Sequence, residues 1–315
     1  MNSLPEPFLQ RLQNMYSDSV RGKILSGLAA DRFTSFRVNT LLAKRERVLT
    51  DLTLDGLAPH PIEGLPDAFS VLPSDRRQLT ESSSFRKGHI YIQNPSSMLP
   101  PFILDPQAGE KILDLCAAPG SKTLQMAALM EDKGWISAVE AVKTRFFRLQ
   151  ANIKKHGASL IHTYNRDGTK VWRYVPEQFD RVLLDVPCSS EGQFSLNAPH
   201  TFRFWSERKI AEMARKQKKL LFSAVKCLKP GGILVYSSCT FAPEENEAVI
   251  DAMLKKFSGV LEATPLSLPP SILVEHGLSA FGNKTYSPAA QNAVRILPDE
   301  LFEGFFICRL QKRDK

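Results

Sequence analysis

From about residue 101 onward, short apolar runs alternate with segments in which apolar residues recur at helical spacing. This alternation is typical of an α/β fold in which helices cover both faces of a mostly parallel sheet. We therefore predict a doubly wound, Rossmann-like sheet. The predicted strands cover residues 111–115, 135–140, 160–165, 181–185, 233–237 and 304–310. The predicted helices cover residues 122–131, 144–155 and 206–227, and Lys229-Pro230-Gly231-Gly232 predicts a helix stop followed by a turn.

The N-terminal part of the chain follows a different pattern. It predicts a helix at residues 6–14, a strand at residues 36–39 and a turn-rich connection at residues 60–64. We interpret residues 1–92 as a small α+β domain and residues 93–315 as the larger α/β domain. Pro100 and Pro101 follow this boundary, and their stiff backbone suits a junction between the two domains.

The composition indicates a globular protein with a basic surface. The chain has 315 residues, of which 43% are apolar, a net charge of +8 and a pI of about 9.2. No apolar run approaches the roughly 20 residues that span a bilayer, and the N-terminus lacks a signal peptide, so we expect a soluble cytoplasmic protein. The positive charge favours a polyanionic partner, because binding to phosphates releases counterions. Five cysteines without paired spacing indicate free thiols, and we expect a monomer without a metal site.

A turn at the end of the first predicted strand is placed to bind a ligand. It reads DLCAAPGSKT at residues 114–123 and opens the next helix, and ligands of open α/β sheets lie outside the carboxyl ends of the strands. The segment lacks the glycine spacing of dinucleotide and triphosphate sites, so a smaller adenosine-containing ligand is favoured. Glu140, at the end of the second strand, could accept both ribose hydroxyls. Asp167, after the third strand, could accept the exocyclic amine of adenine.

Two cysteines follow the fourth and fifth predicted strands. Cys188 lies just after Asp185 at the first of these strand ends, and Cys239 lies at the second. Neighbouring parallel strands lie about 5 Å apart, so both thiols should face the cofactor pocket, although most free cysteines are simply buried. A thiolate that adds to carbon 6 of a pyrimidine activates carbon 5 for methylation, and a second acid–base group speeds product release. Asp185 could hydrogen-bond N3 or the exocyclic amine of cytosine.

These segments resemble the Sun (Fmu) family of RNA cytosine-5 methyltransferases over most of residues 89–310. The resemblance is carried by DLCAAPGSKT at 114–123, DVPCS at 185–189, YSSCT at 236–240 and PEEN at 243–246, with the lead-in GHIYIQNPSSM at 88–98 and the closing EGFF at 303–306. The chain departs from the family at Ser121, where a second glycine is usual, and at Ser238, where threonine is usual. Neither change removes a catalytic group.

The resemblance implies a class I methyltransferase fold, with S-adenosylmethionine as the methyl donor and cytosine in structured RNA, an rRNA or a tRNA, as the acceptor. It implies that Cys239 is the nucleophile, which bonds to carbon 6, and that Cys188 assists product release. Asp185 completes the predicted catalytic set. Cys227 and Cys308 are expected in the core, and Cys116 is expected to pack within the cofactor turn. The predicted cofactor-binding residues are Cys116, Ala117, Ala118, Pro119, Gly120, Ser121, Lys122, Glu140, Arg145, Asp167 and Asp185.

Several basic segments are candidates for contact with RNA. The helix at residues 206–227 carries cations beside an apolar stripe, which fits a phosphate-binding face and an ordinary solvated face equally well. Aromatic residues just before it could stack on a target base or belong to the core. The candidates are Arg208, Lys209, Arg215, Lys216, Lys218 and Lys219 on the helix, Phe202, Arg203, Phe204 and Trp205 before it, and Arg37, Arg76, Arg77 and Arg86 in the N-terminal domain.

Other functions stay open at this point. A DNA cytosine-5 methyltransferase uses similar chemistry but takes its nucleophile from a Pro-Cys segment, and the presence of Cys239 argues against it. Methyltransferases that act on exocyclic amines place an aromatic residue where Cys188 stands. A non-catalytic assembly factor that binds S-adenosylmethionine and RNA would not need both cysteines.

Overall fold

The computed structural model describes residues 4–314 as an α/β protein built around one large sheet. Its helices are α1 (Glu6–Met15), α2 (Asp18–Ala29), α3 (Arg45–Leu54), α4 (Arg76–Glu81), α5 (Ser83–Arg86), α6 (Pro95–Leu104), α7 (Ser121–Leu129), α8 (Lys143–His156), α9 (Glu207–Cys227) and α10 (Glu247–Lys256). Its strands are β1 (Thr34–Val38), β2 (His60–Pro61), β3 (Ala68–Val71), β4 (Ile90–Ile92), β5 (Lys111–Asp114), β6 (Trp135–Val139), β7 (Ile161–Tyr164), β8 (Phe179–Asp185), β9 (Leu228–Ser238), β10 (Leu261–Thr264), β11 (Val274–His276), β12 (Ala280–Phe281), β13 (Lys284–Thr285), β14 (Val294–Ile296) and β15 (Phe305–Lys312). Within residues 4–314, no helix combines the length and the apolar character needed to cross a membrane.

The large sheet has the strand order β11-β14-β15-β9-β8-β5-β6-β7, and β10 pairs with β15. The five strands from β9 to β7 are parallel, and β15 lies antiparallel beside β9. Within this sheet, the first strand along the chain is the central strand β5. The chain then adds β6 and β7 on one side and returns to add β8 on the other side of β5. This reversal creates a switch point between β5 and β8, where α/β proteins bind their ligands. The predicted doubly wound, mostly parallel sheet is confirmed.

Helices cover both faces of this sheet, because alternate residues of each central strand point to opposite sides. On one face, Leu113 and Leu184 pack in a core with Leu220 of α9 and Ile250 of α10. On the other face, the neighbouring strand residues pack with helices α6, α7 and α8. That second core includes Ile112, Leu183, Met98, Leu124 and Leu149. All the central strands are thus buried on both faces, which explains their nearly continuous apolar runs.

The N-terminal part of the chain forms a second, four-stranded antiparallel sheet in the order β2-β3-β1-β4. Its core contains Phe36, Val48 and Leu79, so it packs with α3 and α4. Helices α1 and α2 do not join that core. Phe8 of α1 packs instead with Phe194, at a ring-centroid distance of 5.0 Å. The division of the chain at residue 92 stays a prediction.

Pro100 and Pro101 lie inside the buried helix α6, and their place at a junction between domains stays a prediction. Proline at position 101 leaves the carbonyl of Ser97 without its helical donor, and the side chain of Gln93 supplies one at 2.9 Å. The helix stop predicted before residues 229–232 is confirmed, because α9 ends at Cys227. The turn predicted there was wrong, because these residues belong to β9, which begins at Leu228 and shifts its pairing to β8 at this point.

Candidate active site

A cleft of about 420 Å³ opens at the carboxyl ends of β5, β6, β8 and β9. It contains all the predicted catalytic and cofactor-binding residues except Gly120, which shapes the turn from behind. We call the part formed by residues 114–122, Glu140 and Asp167 the cofactor half, and the part formed by Asp185, Cys188, Ser190 and Cys239 the thiol half. The cleft also has polar lining residues that the sequence analysis did not assign to the site, and these are Ser97, Asp114, Ser190 and Gln193.

The turn in the cofactor half is held by hydrogen bonds to its carbonyl groups. Asn152 donates to the carbonyl of Pro119 at 2.8 Å, and Arg145 donates to the carbonyl of Ala118 at 2.5 Å. The peptide bond between Ala118 and Pro119 is cis. Gly120 has a φ of +107°, and a Cβ atom there would lie 2.9 Å from Cδ1 of Leu149. Glycine is therefore required both by the backbone conformation and by the close approach of α8.

Arg37 gives this turn a further support that the sequence analysis did not predict. We expected Arg37 to contact RNA, but it is 4% exposed, so this prediction was wrong. Its guanidinium donates to the carbonyl of Ser121 at 3.0 Å and to the side chain of Gln93 at 3.1 Å. Burial lowers the pKa of Arg37 to about 10. Arg37 thus links the N-terminal sheet to the cofactor turn.

Asp114 closes the inner side of the cofactor half. It is 1% exposed and accepts a hydrogen bond from the hydroxyl of Thr123 at 2.7 Å. Burial raises the pKa of Asp114 to about 7, and the nearby carboxylate of Asp185 acts in the same direction. Asp114 can therefore hold a proton near neutral pH.

Glu140 and Asp167 lie at the ends of β6 and β7, as predicted. One carboxylate oxygen of Glu140 accepts the backbone N–H of Val142 at 2.8 Å, and the other lies 3.5 Å from the guanidinium of Arg145. Asp167 accepts the N–H of Thr169 at 3.0 Å and its hydroxyl at 2.8 Å through the same oxygen. Both acids line the cleft, where carboxylate oxygens suit ribose hydroxyls at Glu140 and an amine at Asp167.

The two predicted thiols meet in the cleft. Cys188 and Cys239 are 51 residues apart in sequence, and their sulfur atoms lie 3.1 Å apart. The hydrogen bond to Cys239, with burial, raises the pKa of Cys188 well above its ordinary value. Cys188 therefore keeps its proton at neutral pH and can donate it towards the sulfur of Cys239. As expected, Cys227 and Cys308 are fully buried in the core.

Asp185 lies between the thiols and the cofactor turn. One of its oxygens accepts the hydroxyl of Ser237 at 2.7 Å, and the other forms an ion pair with Lys122 at 2.7 Å. Lys122 also donates to the hydroxyl of Ser97. Because its carboxylate is fixed from two sides, Asp185 has one orientation towards the cleft.

Two buried glutamates hold the loop that carries Cys188. Glu191 accepts hydrogen bonds from the Trp205 indole at 2.9 Å, the Thr240 hydroxyl at 2.9 Å and the Phe241 N–H at 3.0 Å. It therefore ties this loop to the residues that follow Cys239. Burial raises the pKa of Glu191.

Glu245 supports the same loop from below. It accepts the N–H of Ser189 at 3.1 Å and the side chain of Gln217 at 2.7 Å. Burial raises the pKa of Glu245 to about 7. Glu245 belongs to the segment PEEN of the family pattern, but the sequence does not predict its role, because nothing in the sequence indicates that this glutamate is buried.

The aromatic residues before α9 divide into core and surface. Phe202 is 8% exposed and packs against Phe194, and Trp205 is held by Glu191, so neither is free to stack on a base. Phe204 is 84% exposed. Arg76, Arg77, Arg86 and Arg203 are also exposed, and their contact with RNA stays a prediction.

A separate cationic groove of about 440 Å³ lies along α9. Its lining consists of Thr169, Lys170, Arg173, Lys218, Lys219, Phe222, Met253 and Lys256, which includes five cations and no acid. Lys216, three residues before Lys219, lines the cleft itself, and Gly168 of the cleft adjoins Thr169 of the groove. The buried stripe of α9, which includes Ile210, Met213, Leu220 and Ala224, faces the core as predicted.

The fold and the cleft together define a class of protein. A doubly wound sheet with an antiparallel β15 beside β9, a tight turn after β5 and acids after β6 and β7 is the arrangement of a class I methyltransferase. A family model described as 16S rRNA methyltransferase RsmB/F matches residues 101–311. The chain belongs to this family.

The relatives agree with this assignment. The chain is 44% identical over 279 residues to a tRNA (cytosine(49)-C(5))-methyltransferase of Pyrococcus abyssi, and the match covers 88% of each chain. It is 34% identical to a ribosomal RNA small subunit methyltransferase F of Cronobacter sakazakii, where the match covers 98% of this chain and 63% of that protein. The chain therefore spans less than two thirds of the latter.

Solved structures give the same answer. A methyltransferase homologue from Pyrococcus horikoshii superimposes with a TM-score of 0.83 at 30% identity, covering 98% of this chain and 95% of the other. NSun6 from Pyrococcus horikoshii with SFG superimposes with a TM-score of 0.85 at 23% identity and full coverage of both chains, which shows the fold. At the level of the family, the predicted class I fold, RNA cytosine-5 methyltransferase class and S-adenosylmethionine dependence are confirmed.

Proposed function

We propose that this protein methylates carbon 5 of a cytosine in RNA through a covalent bond between Cys239 and carbon 6 of the base. The observation that carries the proposal is the pair of thiols 3.1 Å apart at one end of the cleft. The other end carries Glu140 and Asp167. A target base beside the thiols and an adenosine group beside these acids would bring acceptor carbon and methyl group together.

The cofactor half fits S-adenosylmethionine by the chemistry of its groups. Glu140 would accept the ribose hydroxyls and Asp167 the adenine amine, with the turn at residues 116–122 against the rest of the molecule. When bound, S-adenosylmethionine supplies an electrophilic methyl group. Arg145 would act indirectly, because it holds both Glu140 and the carbonyl of Ala118.

The thiol half supplies the activation of the base. Cys239 loses its proton to solvent, and its thiolate adds to carbon 6, which places an electron pair at carbon 5 for attack on the methyl group. Asp185 would accept a hydrogen bond from the exocyclic amine of cytosine and so orient the base beside the thiols. A base from solvent then takes the proton of carbon 5, and the electron pair of that C–H bond expels the sulfur from carbon 6 as the Cys239 thiolate, which releases the product. Cys188 assists this step because its thiol can donate a hydrogen bond to the departing sulfur.

The RNA backbone would follow the cationic groove. Its five cations are close to the cleft, and phosphate contacts of this kind provide affinity without reading sequence. The tRNA-modifying relative matches 88% of both chains, so we would test tRNA first and small-subunit rRNA second. We further propose that the protein acts in the cytoplasm, as a monomer and without a metal.

The test is methyl transfer from labelled S-adenosylmethionine to unmodified RNA, with denaturing gels to detect covalent protein–RNA adducts. Cys239→Ala should give neither product nor adduct, whereas Cys188→Ala should accumulate an adduct. Cys227→Ala is the matched control, because Cys227 is a buried thiol at the opposite end of β9. RNA binding by Cys239→Ala, measured separately, shows that the variant still folds.

Two results would overturn the proposal. If Cys188→Ala abolishes product and adduct while Cys239→Ala keeps both, the nucleophile is Cys188, as in DNA cytosine-5 methyltransferases. If the wild-type protein binds S-adenosylmethionine and RNA but transfers no methyl group to either RNA class, the protein acts as a non-catalytic assembly factor.

A further inference from the structure

Ser190 has an unusual backbone conformation at the centre of the thiol half. Its φ is +61°, a left-handed value that costs a side chain such as serine about 1 kcal/mol. Five residues other than glycine have a positive φ among residues 4–314, namely Asp105, Glu131, Asp132, Glu177 and Ser190. Ser190 is the one of these five that lines the cleft. Such conformations persist where the surrounding structure holds them, and they concentrate at functional sites.

This conformation places Oγ of Ser190 beside both sulfur atoms. It accepts a hydrogen bond from the thiol of Cys239, with Sγ and Oγ 3.7 Å apart, and it lies 3.9 Å from Sγ of Cys188. The backbone N–H of Ser190 also faces Cys188 and stabilises its thiolate form. Within residues 4–314, no carboxylate and no other hydroxyl has a hydrogen bond to either sulfur, so Ser190 and the thiol of Cys188 are the two side chains that contact the sulfur of Cys239.

The loop around Ser190 is fixed relative to Cys239. The N–H of Gly192 donates to the carbonyl of Cys239 at 2.9 Å, and the carbonyl of Ser190 accepts the N–H of Gln193 at 3.0 Å. Glu191 binds the two residues after Cys239. The hydroxyl of Ser190 is therefore held beside the nucleophile before any substrate arrives, which is the condition for electrostatic preorganisation.

We propose that Ser190 is a further catalytic residue, whose hydroxyl turns to donate a hydrogen bond to the sulfur of Cys239 once that thiol has lost its proton. The proposal rests on the proposed function, in which Cys239 is the nucleophile. The proton of the Cys239 thiol leaves to solvent through the open cleft, and Ser190 keeps its own proton throughout. The same donor stabilises the sulfur again when its bond to carbon 6 breaks. Ser190 thus has a role in both adduct formation and release.

The test measures the thiolate directly. In a Cys188→Ala background, the rate of alkylation of Cys239 by iodoacetamide is followed against pH, and the labelled peptide is identified by mass spectrometry. Removing a hydrogen bond to a charged sulfur should lower the thiolate fraction about tenfold, so the midpoint should rise by about one pH unit in Ser190→Ala and Ser190→Gly. With Cys188 intact, the same two variants should lose about tenfold in kcat near neutral pH and recover at high pH.

The two substitutions separate the hydroxyl from the backbone. Ser190→Gly removes the hydroxyl and relieves the strained φ, whereas Ser190→Ala removes the hydroxyl and keeps a side chain on the strained backbone. Equal losses in both variants are expected if the hydroxyl acts on the sulfur. Ser189→Ala is the control for the alkylation midpoint, because the Ser189 hydroxyl bonds Thr240 at 2.7 Å and not a sulfur.

A Ser190→Gly variant with the wild-type alkylation midpoint and kcat would overturn the proposal, since only the backbone would then matter. Failure of the proposed function would give a different result. If Cys239 is not the nucleophile, Cys239→Ala remains active, whatever the effect of the Ser190 substitutions.

Discussion

The two halves of the cleft are built in different ways. The cofactor half depends on one continuous segment, residues 114–122, and the carbonyl groups of that segment are held by Asn152, Arg145 and Arg37. The thiol half joins two strand ends whose cysteines are 51 residues apart. It depends on buried carboxyl groups, Glu191 and Glu245, that cross from one strand end to the other.

The shape of the cofactor half is therefore set largely by consecutive residues, whereas the shape of the thiol half is set by contacts between residues that are distant in sequence. The residues of a continuous turn stay adjacent to one another when distant packing changes, because the chain itself joins them, although Asn152, Arg145 and Arg37 support the turn from outside. The thiol half keeps its shape only if β8, β9 and the loops after them stay in register. We therefore expect changes in buried packing to damage methyl transfer before they damage cofactor binding.

The largest effect should come from Gly192→Ala in the thiol half. A Cβ atom at position 192 would lie 1.9 Å from the carbonyl oxygen of Gly304, and the atoms nearby are backbone atoms that cannot rotate away. The loop or the segment at Gly304 must therefore shift, which disturbs the hydrogen bond from the N–H of Gly192 to the carbonyl of Cys239. We expect a loss of roughly 4 kcal/mol or more in the free energy of unfolding, measured with urea, and methyl transfer below about 1% of wild type.

The control for this variant is Gly22→Ala on α2, where a Cβ atom would meet nothing within 4 Å. It should be neutral or slightly stabilising, because alanine favours a helix over glycine by up to about 1 kcal/mol. Calorimetry with S-adenosylmethionine completes the experiment. Loss of cofactor affinity equal to the loss of methyl transfer in folded Gly192→Ala protein would contradict the independence of the two halves.

The same distinction explains how far the sequence alone could lead. The strands β5 to β9 were predicted because strands buried on both faces leave apolar runs, and the cofactor turn was predicted because all its residues are adjacent. The pairing of Cys188 with Cys239 followed from the rule that parallel strands end at one edge of the sheet. In each case the signal lies in a short stretch of sequence.

The residues that were missed act through contacts that no local pattern reports. Arg37 and Glu245 resemble ordinary surface charges in the sequence, and only their partners show that they are buried. Ser190 lies two residues after Cys188, and its proposed role depends on a backbone angle that the sequence does not report. The sequence did not predict helix α6 around its two prolines, because the donor that replaces the missing helical N–H is the side chain of Gln93.

Each half also contains one carboxyl group with a pKa of about 7, Asp114 in the cofactor half and Glu245 under the thiol half. Between about pH 4 and pH 7 the unfolded chain loses these protons while the folded protein keeps them. The stability that each group contributes is therefore present at low pH and is lost as pH rises to about 7. The upper bound is about 4 kcal/mol for Asp114 and about 3 kcal/mol for Glu245.

Urea unfolding at several pH values tests both groups. Relative to wild type, Asp114→Asn and Glu245→Gln should each gain stability as pH rises through this range, and Glu63→Gln at the exposed Glu63 should not. Methyl transfer should suffer more in Glu245→Gln, and cofactor affinity more in Asp114→Asn. A pH-independent stability difference for both variants would show that these carboxyl groups are ionised in the folded protein.

A smaller effect is expected from Gly120→Ala in the cofactor half. The strained φ and the contact with Leu149 should shift the turn without unfolding it. We expect the Kd for S-adenosylmethionine to rise about tenfold, equivalent to about 1.4 kcal/mol, and kcat at saturating cofactor to stay near wild type. Gly109→Ala separates the backbone strain from the contact with Leu149, because Gly109 has a φ of +90° but no atom within 4 Å of its Cβ position. A fall in kcat with unchanged Kd would link the two halves.

The smallest effect should come from the cationic groove, which adjoins the cofactor half but would bind only RNA. Lys219→Ala and Lys256→Ala should each raise the KM for RNA about threefold and leave the Kd for S-adenosylmethionine unchanged. If each lysine contacts a phosphate, the slope of log Kd against log salt should fall by roughly 0.7 to 0.9 for each substitution. Lys23→Ala, at an exposed lysine on α2, controls for a change in net charge alone. Equal slopes in all three variants would mean that RNA does not enter the groove, and the cations of α9 would then be a solvated face.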